Sequence, residues 1–509
     1  MLERARMSVT VETSLGRLRG VEENGLHVFR GVPFARARRF APPVRPEPWA
    51  GVRSAAEPGP TAHQNASVLG PLIGVDLRNA SEDCLSLNVW TPGPGRRPVM
   101  VWIHGGAFVM GAGSQPIYDG ARLARHGDVV VVTINYRLGV LGFLRLDDCA
   151  PGTLPAAGNQ GLLDQVVALE WVRDEIAAFG GDPREVTVFG ESAGAMSVAT
   201  LLGVPRARGL FRRAILESGA ANFTASRETA AEVAHAFLHE LGLAPHEAAR
   251  LGEAPVTRLL EAQERTFLER TRAGRLGLPF VPVIDGEVLP AHPLAAVGDG
   301  LARDVALLAG TNLDENKLFA VTDGKARTLD EPTLLRRLGR NVPGPVGERA
   351  ARAEQAVAVY RAARTARGER TTPPELWSAI ETDRIFRYPA MRLAERQRTH
   401  QPAVHTYLFT WASPLLDGVL GACHALELPF VFGTLADPRI ATFTGRGPDA
   451  QALSARMQDA WLAFARTGDP GWPAYDAGRR ATMLLGRECG IEDAPREPER
   501  RFWEFWDGT

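Results

Sequence analysis

The pentapeptide at residues 190–194 (Gly-Glu-Ser-Ala-Gly) holds a serine between two glycines, a spacing that suits nucleophilic chemistry. The β-branched run 186–188 before it predicts a buried strand, and residues 193–202, rich in Ala, Met and Leu, predict a helix. In this order of elements the hydroxyl of Ser192 would project above a sheet, where larger neighbouring side chains would clash. The alternative is an ordinary serine in a glycine-flanked turn.

A serine hydroxyl needs a base within hydrogen-bond reach and a third group that orients the base. When such a turn carries a catalytic triad, the chain order is serine, acid, histidine. The candidate acids, described below, are Asp314 and Glu315, and the histidine should follow them. Only His400, His405 and His424 of the eleven histidines do so. His405 lies inside a predicted strand and His400 at its N-terminal edge, whereas sites gather at the carboxyl ends of parallel strands. We therefore expect His424 to be the base, the alternative being a core or surface histidine.

Two adjacent carboxylates, Asp314 and Glu315, lie in a loop after the predicted apolar strand 305–308. Either carboxylate could fix the tautomer of the imidazole and stabilise the imidazolium that forms. The residues alone do not choose between them, and both could instead be solvated loop side chains.

The stabilisation of an oxyanion requires backbone N–H groups that approach the substrate closely. The predicted buried strand 99–103 runs directly into the segment 104–108 (His-Gly-Gly-Ala-Phe). We expect the N–H groups of Gly106, Ala107 and Ala193 to be the donors. A plain glycine turn after a strand is the alternative.

These segments have to be positioned by strands that alternate with helices. The runs 99–103 and 129–134 are wholly apolar, as expected of strands covered by helices on both faces. The pattern predicts one α/β domain at residues 8–509, with a mainly parallel sheet and long insertions. Its further predicted parts are an antiparallel meander at 9–34, irregular segments at 39–60 and 61–80, strands at 85–90, 213–216 and 404–411, and helices at 121–126, 159–179, 452–467 and within 226–275 and 329–400.

The composition favours an ordinary globular protein, with a net charge of −1 and 45% hydrophobic residues in 509. We expect no nucleic-acid partner, because the net charge is close to zero, and no membrane, because no run approaches about 18 apolar residues. Residues 1–10 have no apolar core, so we expect no secretory signal there. The cysteines lie far apart without metal-ligand spacing, which favours free thiols in a reducing cytoplasm. They are Cys84, Cys149, Cys423 and Cys489.

Four motifs together resemble the type-B carboxylesterase family, the cholinesterase-like branch of the α/β-hydrolases, and in particular its bacterial para-nitrobenzyl esterases. They are residues 82–90 (EDCLSLNVW), 104–108, 189–194 and 423–433 (CHALELPFVFG), in the family's order. The resemblance extends from about residue 8 to residue 506. It implies the α/β-hydrolase fold, with a central, mostly parallel sheet, helices on both faces and long insertions.

The resemblance also implies roles for individual residues, and it favours the second carboxylate of the adjacent pair as the acid. The implied roles are Ser192 as nucleophile, His424 as base, Glu315 as acid, and Glu191 and Ser218 as groups that steady the histidine.

Two positions depart from the family's pattern. Asn316 stands where the family usually has glycine, so the backbone angle there is open, although asparagine tolerates a positive φ better than most residues. No cysteine precedes Cys84. The disulfide loop of vertebrate members is therefore not expected, and the pocket wall at residues 61–80 should be looser.

The reaction that follows is ester hydrolysis through an acyl-enzyme, with no metal ion and no organic cofactor. The expected partner is a small hydrophobic ester, and the protein is expected to be a monomer or a weak homo-oligomer. A carbamate or amide hydrolase with the same residues, and a non-catalytic interaction protein, are the alternatives. Five apolar residues are candidates for the pocket wall, although each also fits a core: Phe108, Leu278, Phe280, Leu318 and Phe319.

Overall fold

The computed structural model describes residues 7–67, 74, 76–273, 275 and 277–507. The strands within these residues are β1 (Ser8–Thr13), β2 (Gly16–Glu23), β3 (Leu26–Pro33), β4 (Val52–Ser54), β5 (Ser86–Thr91), β6 (Arg97–Ile103), β7 (Val130–Ile134), β8 (Gly181–Glu191), β9 (Arg213–Glu217), β10 (Ala225–Ser226), β11 (Val283–Ile284), β12 (Ala306–Asn312), β13 (Val404–Phe409), β14 (Ala481–Leu485) and β15 (Gly490–Asp493).

The α-helices of the same residues are α1 (Ala121–Gly127), α2 (Gly139–Phe143), α3 (Gln160–Glu175), α4 (Ala193–Leu201), α5 (Arg227–Glu240), α6 (Val256–Arg272), α7 (Pro293–Gly298), α8 (Asn316–Thr322), α9 (Glu331–Asn341), α10 (Arg349–Ala366), α11 (Pro373–Thr382), α12 (Tyr388–Arg398), α13 (Leu428–Phe432), α14 (Pro438–Thr444), α15 (Pro448–Thr467) and α16 (Glu497–Asp507). A π-helical turn, Asp383–Arg387, joins α11 to α12, and short 3₁₀ turns lie at Pro116–Tyr118, Ile176–Phe179, Pro205–Ala207, Pro245–Gly252, Ala326–Thr328, Val346–Glu348 and Leu415–Gly418.

One sheet organises the molecule, with the strand order β1-β2-β3-β5-β7-β6-β8-β9-β12-β13-β14-β15 and with β4 paired to β2. The pairs from β7 through β14 are parallel, whereas β1, β2, β3 and β5 pair antiparallel. The predicted N-terminal meander is thereby confirmed. Because β6, β8, β12 and β13 are parallel, the segments that follow them meet at one edge of the sheet.

The two faces of the sheet carry separate hydrophobic cores, because successive side chains of a strand point to opposite faces. Val101 and Val188 belong to the core that includes α3 and α4. Trp102 and Phe189 belong to the other core, which includes α13 and α15, and their ring centroids lie 4.8 Å apart. The fold is therefore an α/β fold with helices on both faces, as predicted.

Several boundaries differ from the prediction. Strand β12 continues through Gly310, Thr311 and Asn312, which we had assigned to a loop, because pairing with β9 and β13 outweighs the weak strand propensity of these residues. The predicted helix 159–179 ends as α-helix at Glu175 and closes with a 3₁₀ turn. The short strands β14 and β15 were not predicted. The expected loop at 61–80 lies partly outside the described residues, and within them Thr61 bridges to Ala80.

The helices α9, α10, α11 and α16 enclose a third, smaller core around Leu334, Tyr360 and Trp503. This group corresponds to the predicted helical region 329–400, and it also includes the last helix of the described chain. Across the residues that the structure describes, no helix is both long and apolar enough to cross a membrane.

Candidate active site

Ser192 lies at the sharp junction between β8 and α4. Its backbone has φ 54° and ψ −124°, a region that residues with a side chain rarely occupy and that marks local strain. A Cβ atom on Gly194 would lie 2.0 Å from the carbonyl oxygen of Ile103, so the approach of β6 requires a glycine there. The N–H of Ser192 donates to the carbonyl of Glu217 (2.9 Å), which ties the turn to β9. The local geometry is that of a nucleophile elbow.

His424 and Glu315 are brought together by the loops that follow β13 and β12. The Nδ1 atom of His424 lies 2.7 Å from Oε2 of Glu315, and the imidazole is buried. The other carboxylate oxygen of Glu315 accepts a hydrogen bond of 2.7 Å from the N–H of Asn312. Glu315 is thus held by the end of its own strand while it fixes the orientation of the imidazole.

The opposite edge of the imidazole faces the serine turn. Its Nε2 lies 3.0 Å from Oε1 of Glu191, a close electrostatic contact outside hydrogen-bond geometry. A Cβ atom added to Gly105 would lie 2.8 Å from Oε2 of Glu191 and 3.1 Å from Cβ of Ser192. Glu191, the residue before Ser192, therefore places its carboxylate against the imidazole, and Gly105 leaves room for it.

The pKa of His424 reflects two opposing influences. Burial disfavours the charged imidazolium, but the carboxylates of Glu191 and Glu315 outweigh it and raise the pKa above the ordinary value of a histidine. Burial also raises the pKa of Glu191, and Glu315 adds to this effect while His424 opposes it. The imidazole and Glu191 consequently titrate as an interacting pair.

Asp314, the neighbour of Glu315, has a different set of contacts. Its Oδ2 accepts a hydrogen bond of 3.1 Å from the N–H of Ala422, and its own N–H donates to the carbonyl of Ala422 (2.9 Å). Its Oδ1 lies 3.1 Å from Nζ of Lys317. Asp314 therefore joins the acid loop to the histidine loop without touching the imidazole.

The segment after β6 has three consecutive positive φ angles, at Gly106 (111°), Ala107 (55°) and Phe108 (60°). The carbonyl of Gly106 accepts bonds from the N–H groups of Val109 and Met110, both at 3.0 Å. Within the described part of the chain, the N–H groups of Gly106 and Ala107 have no protein acceptor. Ala193 begins α4, where the first N–H groups lack intrahelical partners. All three predicted donors are thus available to an external oxygen.

Beneath the imidazole lies a group of buried side chains that includes Ser218. Its hydroxyl donates to Oε1 of Glu427 (3.4 Å) rather than to the histidine. The amide of Asn312 donates to Oε2 of Glu427 and to the carbonyl of Cys423 (2.7 Å). Burial, reinforced by the other carboxylates, raises the pKa of Glu427 well above its ordinary value. Ser218 can therefore influence His424 only through its neighbours.

The predicted pocket residues divide into two groups. The ring of Phe319 lies 5.0 Å from the imidazole, and the residue is 40% exposed. The others lie deeper: Phe108 packs on Phe143, Phe280 packs on Phe237, Leu318 belongs to the second core, and Leu278 is half-buried. Phe386, on the π-helical turn, was not predicted, yet its ring lies 4.9 Å from the imidazole and stacks on Phe319.

The model of the carboxylesterase family matches residues 7–503. The chain belongs to the carboxylesterase family. This carboxylesterase is 40% identical over 504 residues to the para-nitrobenzyl esterase of Bacillus subtilis (strain 168), a match that covers 96% of the chain and 97% of the relative. It is 38% identical to the phenmedipham hydrolase of Pseudarthrobacter oxydans, with 94% of each protein covered.

Solved structures show the same likeness. The carboxylesterase of Geobacillus stearothermophilus superimposes with a TM-score of 0.85 at 42% identity, and the match covers 97% of this chain and 99% of that one. The carboxylesterase described here therefore has the α/β-hydrolase fold and is a carboxylic ester hydrolase. The resemblance stated from its four motifs is confirmed.

Sequence reasoning missed two neighbours of the imidazole region in this carboxylesterase. Glu427 lies three residues after His424, within the motif that we had quoted, and its spacing was a usable signal. Phe386 carried no local signal, because a π-helical turn is set by packing. Asn316, the departure from the family pattern, begins α8, and its N–H donates to Oγ1 of Thr382 (3.1 Å). The position therefore has a helical backbone rather than a positive φ.

Among the residues that the structure describes, no three His, Cys, Asp or Glu side chains are grouped so as to hold a metal ion. All four cysteines are free thiols.

Proposed function

We propose that this carboxylesterase hydrolyses esters of hydrophobic small molecules through Ser192, His424 and Glu315. The observation that carries the proposal is the 2.7 Å contact between His424 Nδ1 and Glu315 Oε2, at a point where the opposite edge of the imidazole faces the serine turn. The strained backbone of Ser192 adds support, because such strain accompanies nucleophile elbows.

In the proposed first step, Oγ of Ser192 attacks the carbonyl carbon of the ester and its proton passes to Nε2 of His424. The negative charge on the carbonyl oxygen is stabilised by the N–H groups of Gly106, Ala107 and Ala193. The bond between the carbonyl carbon and the alkoxy oxygen then breaks. The alcohol leaves with the proton from Nε2, and an acyl group remains on Ser192.

In the second step, water attacks the acyl carbon and gives a proton to Nε2 of His424. The tetrahedral intermediate collapses, Oγ of Ser192 regains the proton, and the carboxylic acid is released as the carboxylate. Glu315 stays ionised throughout and stabilises the imidazolium. Glu191 also stabilises the imidazolium, from the other edge of the ring, because its carboxylate lies 3.0 Å from Nε2.

Turnover requires a neutral Nε2, so activity should rise with pH as His424 loses its proton. Because the two carboxylates raise the pKa of His424, this rise should fall above pH 6.5, the value of an unperturbed histidine.

The preference for hydrophobic substrates rests on the aromatic pair Phe319 and Phe386. Their rings lie nearly parallel, with an interplanar angle of 4°, and both contact the imidazole. Phe319 is partly exposed, so we place an apolar wall of the substrate site there. Phe108 and Phe280 are fully buried and would need to move to reach a ligand.

The decisive test is covalent labelling by a phosphonyl fluoride, followed by mass spectrometry of the peptide that contains Ser192. We expect one label per chain, and we expect Ser192→Ala to remove the label and to lower kcat by about 10⁶-fold. Ser218→Ala is the matched control, because Ser218 is buried and bonds Glu427; it should still be labelled. Undiminished turnover by Ser192→Ala would place the nucleophile elsewhere.

A carbamate or amide hydrolase is the second candidate, since it would use the same residues. The phenmedipham hydrolase relative makes phenmedipham a specific compound to test. Comparing kcat/KM for p-nitrophenyl esters of increasing acyl length with that for phenmedipham and for a matched amide would rank the two candidates.

We further propose a cytoplasmic location, because the four cysteines are unpaired, and a monomer or weak homo-oligomer. Cell fractionation tests the location. Sedimentation at several protein concentrations tests the state of association.

A further inference from the structure

The π-helical turn Asp383–Arg387 carries Phe386, whose ring lies 4.9 Å from the imidazole of His424. The same ring stacks on Phe319, which is partly exposed. π-helical turns are uncommon and frequently lie at functional sites. The contacts that hold this turn therefore bear on the shape of the substrate pocket.

The two ends of the turn are joined by a buried ion pair. Nε of Arg387 donates to Oδ1 of Asp383 (2.7 Å), and Nη2 donates to Oδ2 (2.6 Å). Two parallel hydrogen bonds of this kind fix the guanidinium relative to the carboxylate. Because Phe386 directly precedes Arg387 in the chain, the ion pair also restricts the backbone of Phe386.

Two aromatic side chains from other helices extend this pair. The hydroxyl of Tyr360, on α10, donates to Oδ2 of Asp383 (2.5 Å) and accepts from Nε1 of Trp503, on α16 (2.7 Å). A tyrosine hydroxyl has one proton to donate and also accepts, so both of its roles are filled here. All four side chains are buried. We call Trp503, Tyr360, Asp383 and Arg387 the buried chain.

The segment that forms α16 meets the turn at two further points. Nη1 of Arg387 donates to the carbonyl of Pro495 (3.1 Å), two residues before α16 begins. The ring of Trp503 lies 6.4 Å from the ring of Tyr388, the first residue of α12. The last helix of the described chain therefore supports the turn directly and through the buried chain.

We propose that α16 and the buried chain determine substrate selectivity, because they hold Phe386 beside Phe319 and so set the shape of the pocket wall. The inference rests on the proposed function, in which these two rings form an apolar wall of the substrate site. Tyr360 and Trp503 belong to the third core, so they act as positioning residues and do not themselves touch the ester.

The test measures kcat/KM of the full chain for two pairs of esters. One pair differs in the acyl group (p-nitrophenyl acetate and hexanoate), and the other differs in the alcohol (methyl and benzyl acetate). Phe386→Ala should change the ratio within at least one pair by at least about four-fold, which corresponds to the burial of roughly one methylene group.

Tyr360→Phe keeps the ring and removes the hydroxyl, so it should change the same ratio in the same direction, mainly through KM. Trp503→Phe should have a smaller effect, because Tyr360 can still donate to Asp383. Tyr360→Phe combined with Phe386→Ala should give the ratio of Phe386→Ala alone, since the buried chain acts through that ring.

The matched control is Tyr475→Phe. Tyr475 is also buried and its hydroxyl donates to a carboxylate, Oε1 of Glu395 (3.2 Å), which lies on α12 nine residues beyond Phe386. Its loss should lower the unfolding temperature, as Tyr360→Phe does, and leave both ratios unchanged. The comparison separates an effect on selectivity from a general loss of stability.

A ratio that changes in Phe386→Ala and not in Tyr360→Phe would overturn the role of the buried chain and leave the proposed wall intact. An unchanged ratio in Phe386→Ala would overturn the wall and this inference together. Additive effects of Tyr360→Phe and Phe386→Ala would also overturn the inference, because the hydroxyl would then act by a route that does not include Phe386.

Discussion

Glutamates lie on both sides of the loop that carries Glu315, and their surroundings shift their pKa values in opposite directions. On the histidine side, burial raises the pKa of Glu217 to about 8, even though Trp461 donates to it, and burial also raises the pKa of Glu427 well above its ordinary value. On the other side, in the connection from α10 to α11, hydrogen bonds from Arg496 and Arg367 overcome partial burial and lower the pKa of Glu369 to about 2.

The difference lies both in the partners and in the depth of burial, because Glu217 and Glu427 are fully buried and Glu369 is half-buried. The arginines beside Glu369 make its ionised form favourable, whereas the charged groups that act on Glu427 are other carboxylates. Carboxylates that lack a cation keep their protons in a nonpolar surrounding. The carboxylates around His424 thus favour gain of a proton by the imidazole, whereas the carboxylate of Glu369 is already paired with arginines.

The largest effect on activity is expected at the two adjacent carboxylates, Asp314 and Glu315. Glu315→Gln removes the charge beside Nδ1 of His424 and should lower kcat by about 10⁴-fold, as expected when the acid of a triad is neutralised. Asp314→Asn is the matched control, because Asp314 contacts Ala422 and Lys317 instead. It should lower the unfolding temperature and reduce kcat far less. Equal losses of kcat in the two variants would contradict the assignment of Glu315.

A smaller effect is expected on the other edge of the imidazole. Glu191→Gln removes the carboxylate 3.0 Å from Nε2, so the pKa of His424 should fall and the rise of kcat/KM should move to lower pH. Glu427→Gln is the control, because the groups that raise the pKa of His424 are Glu191 and Glu315, whereas Glu427 accepts from Ser218 and Asn312. A pH profile that moves with Glu427→Gln and not with Glu191→Gln would reverse the two roles.

The smallest effects concern stability and have opposite signs on the two sides. Glu217 binds its proton more tightly when folded, so its contribution to stability falls as pH rises from the unfolded pKa, about 4.5, to the folded value, about 8. Glu217→Gln should therefore become more stable relative to the parent between pH 5 and 8 in urea unfolding.

Glu369 has a folded pKa below its unfolded value, so its contribution is present above about pH 4.5 and is lost as the pH falls through about 2. Glu369→Gln should be less stable at pH 7, by about 1 kcal/mol, since the pair is only partly buried. A destabilisation that is unchanged at pH 3 would argue against an ionic contribution.

The serine turn and the histidine loop could be predicted because their signals are local. A β-branched run, two glycines and a helix surround Ser192, and the chain order left His424 as the best placed histidine. Asp314 and Glu315 could not be separated in this way, since they share one loop. Only the hydrogen bond between Asp314 and Ala422, which lie 108 residues apart, shows that Asp314 is the carboxylate that points away from the imidazole.

The mainly parallel character of the sheet could be predicted, but the ends of its strands could not. Apolar runs identified β6 and β7, but Gly310 and Asn312 have low strand propensity, and only the neighbouring β9 and β13 draw them into β12. The position of Phe386 depends on how the π-helical turn between α11 and α12 packs against α8, where Phe319 lies. Contacts between helices distant in sequence leave no periodic signal in any one of them.

The three candidate oxyanion donors all belong to the main chain, at Gly106, Ala107 and Ala193. No single codon change deletes an N–H group except a change to proline, so this part of the site presents a very small target for inactivating mutations. Changes in substrate range should then arise at side chains such as Phe319 and Phe386. Replacements there change the shape of the substrate pocket and leave the backbone N–H donors in place. Sequence differences among relatives should accordingly concentrate in the side chains that line the substrate pocket and be rare at the three main-chain donors.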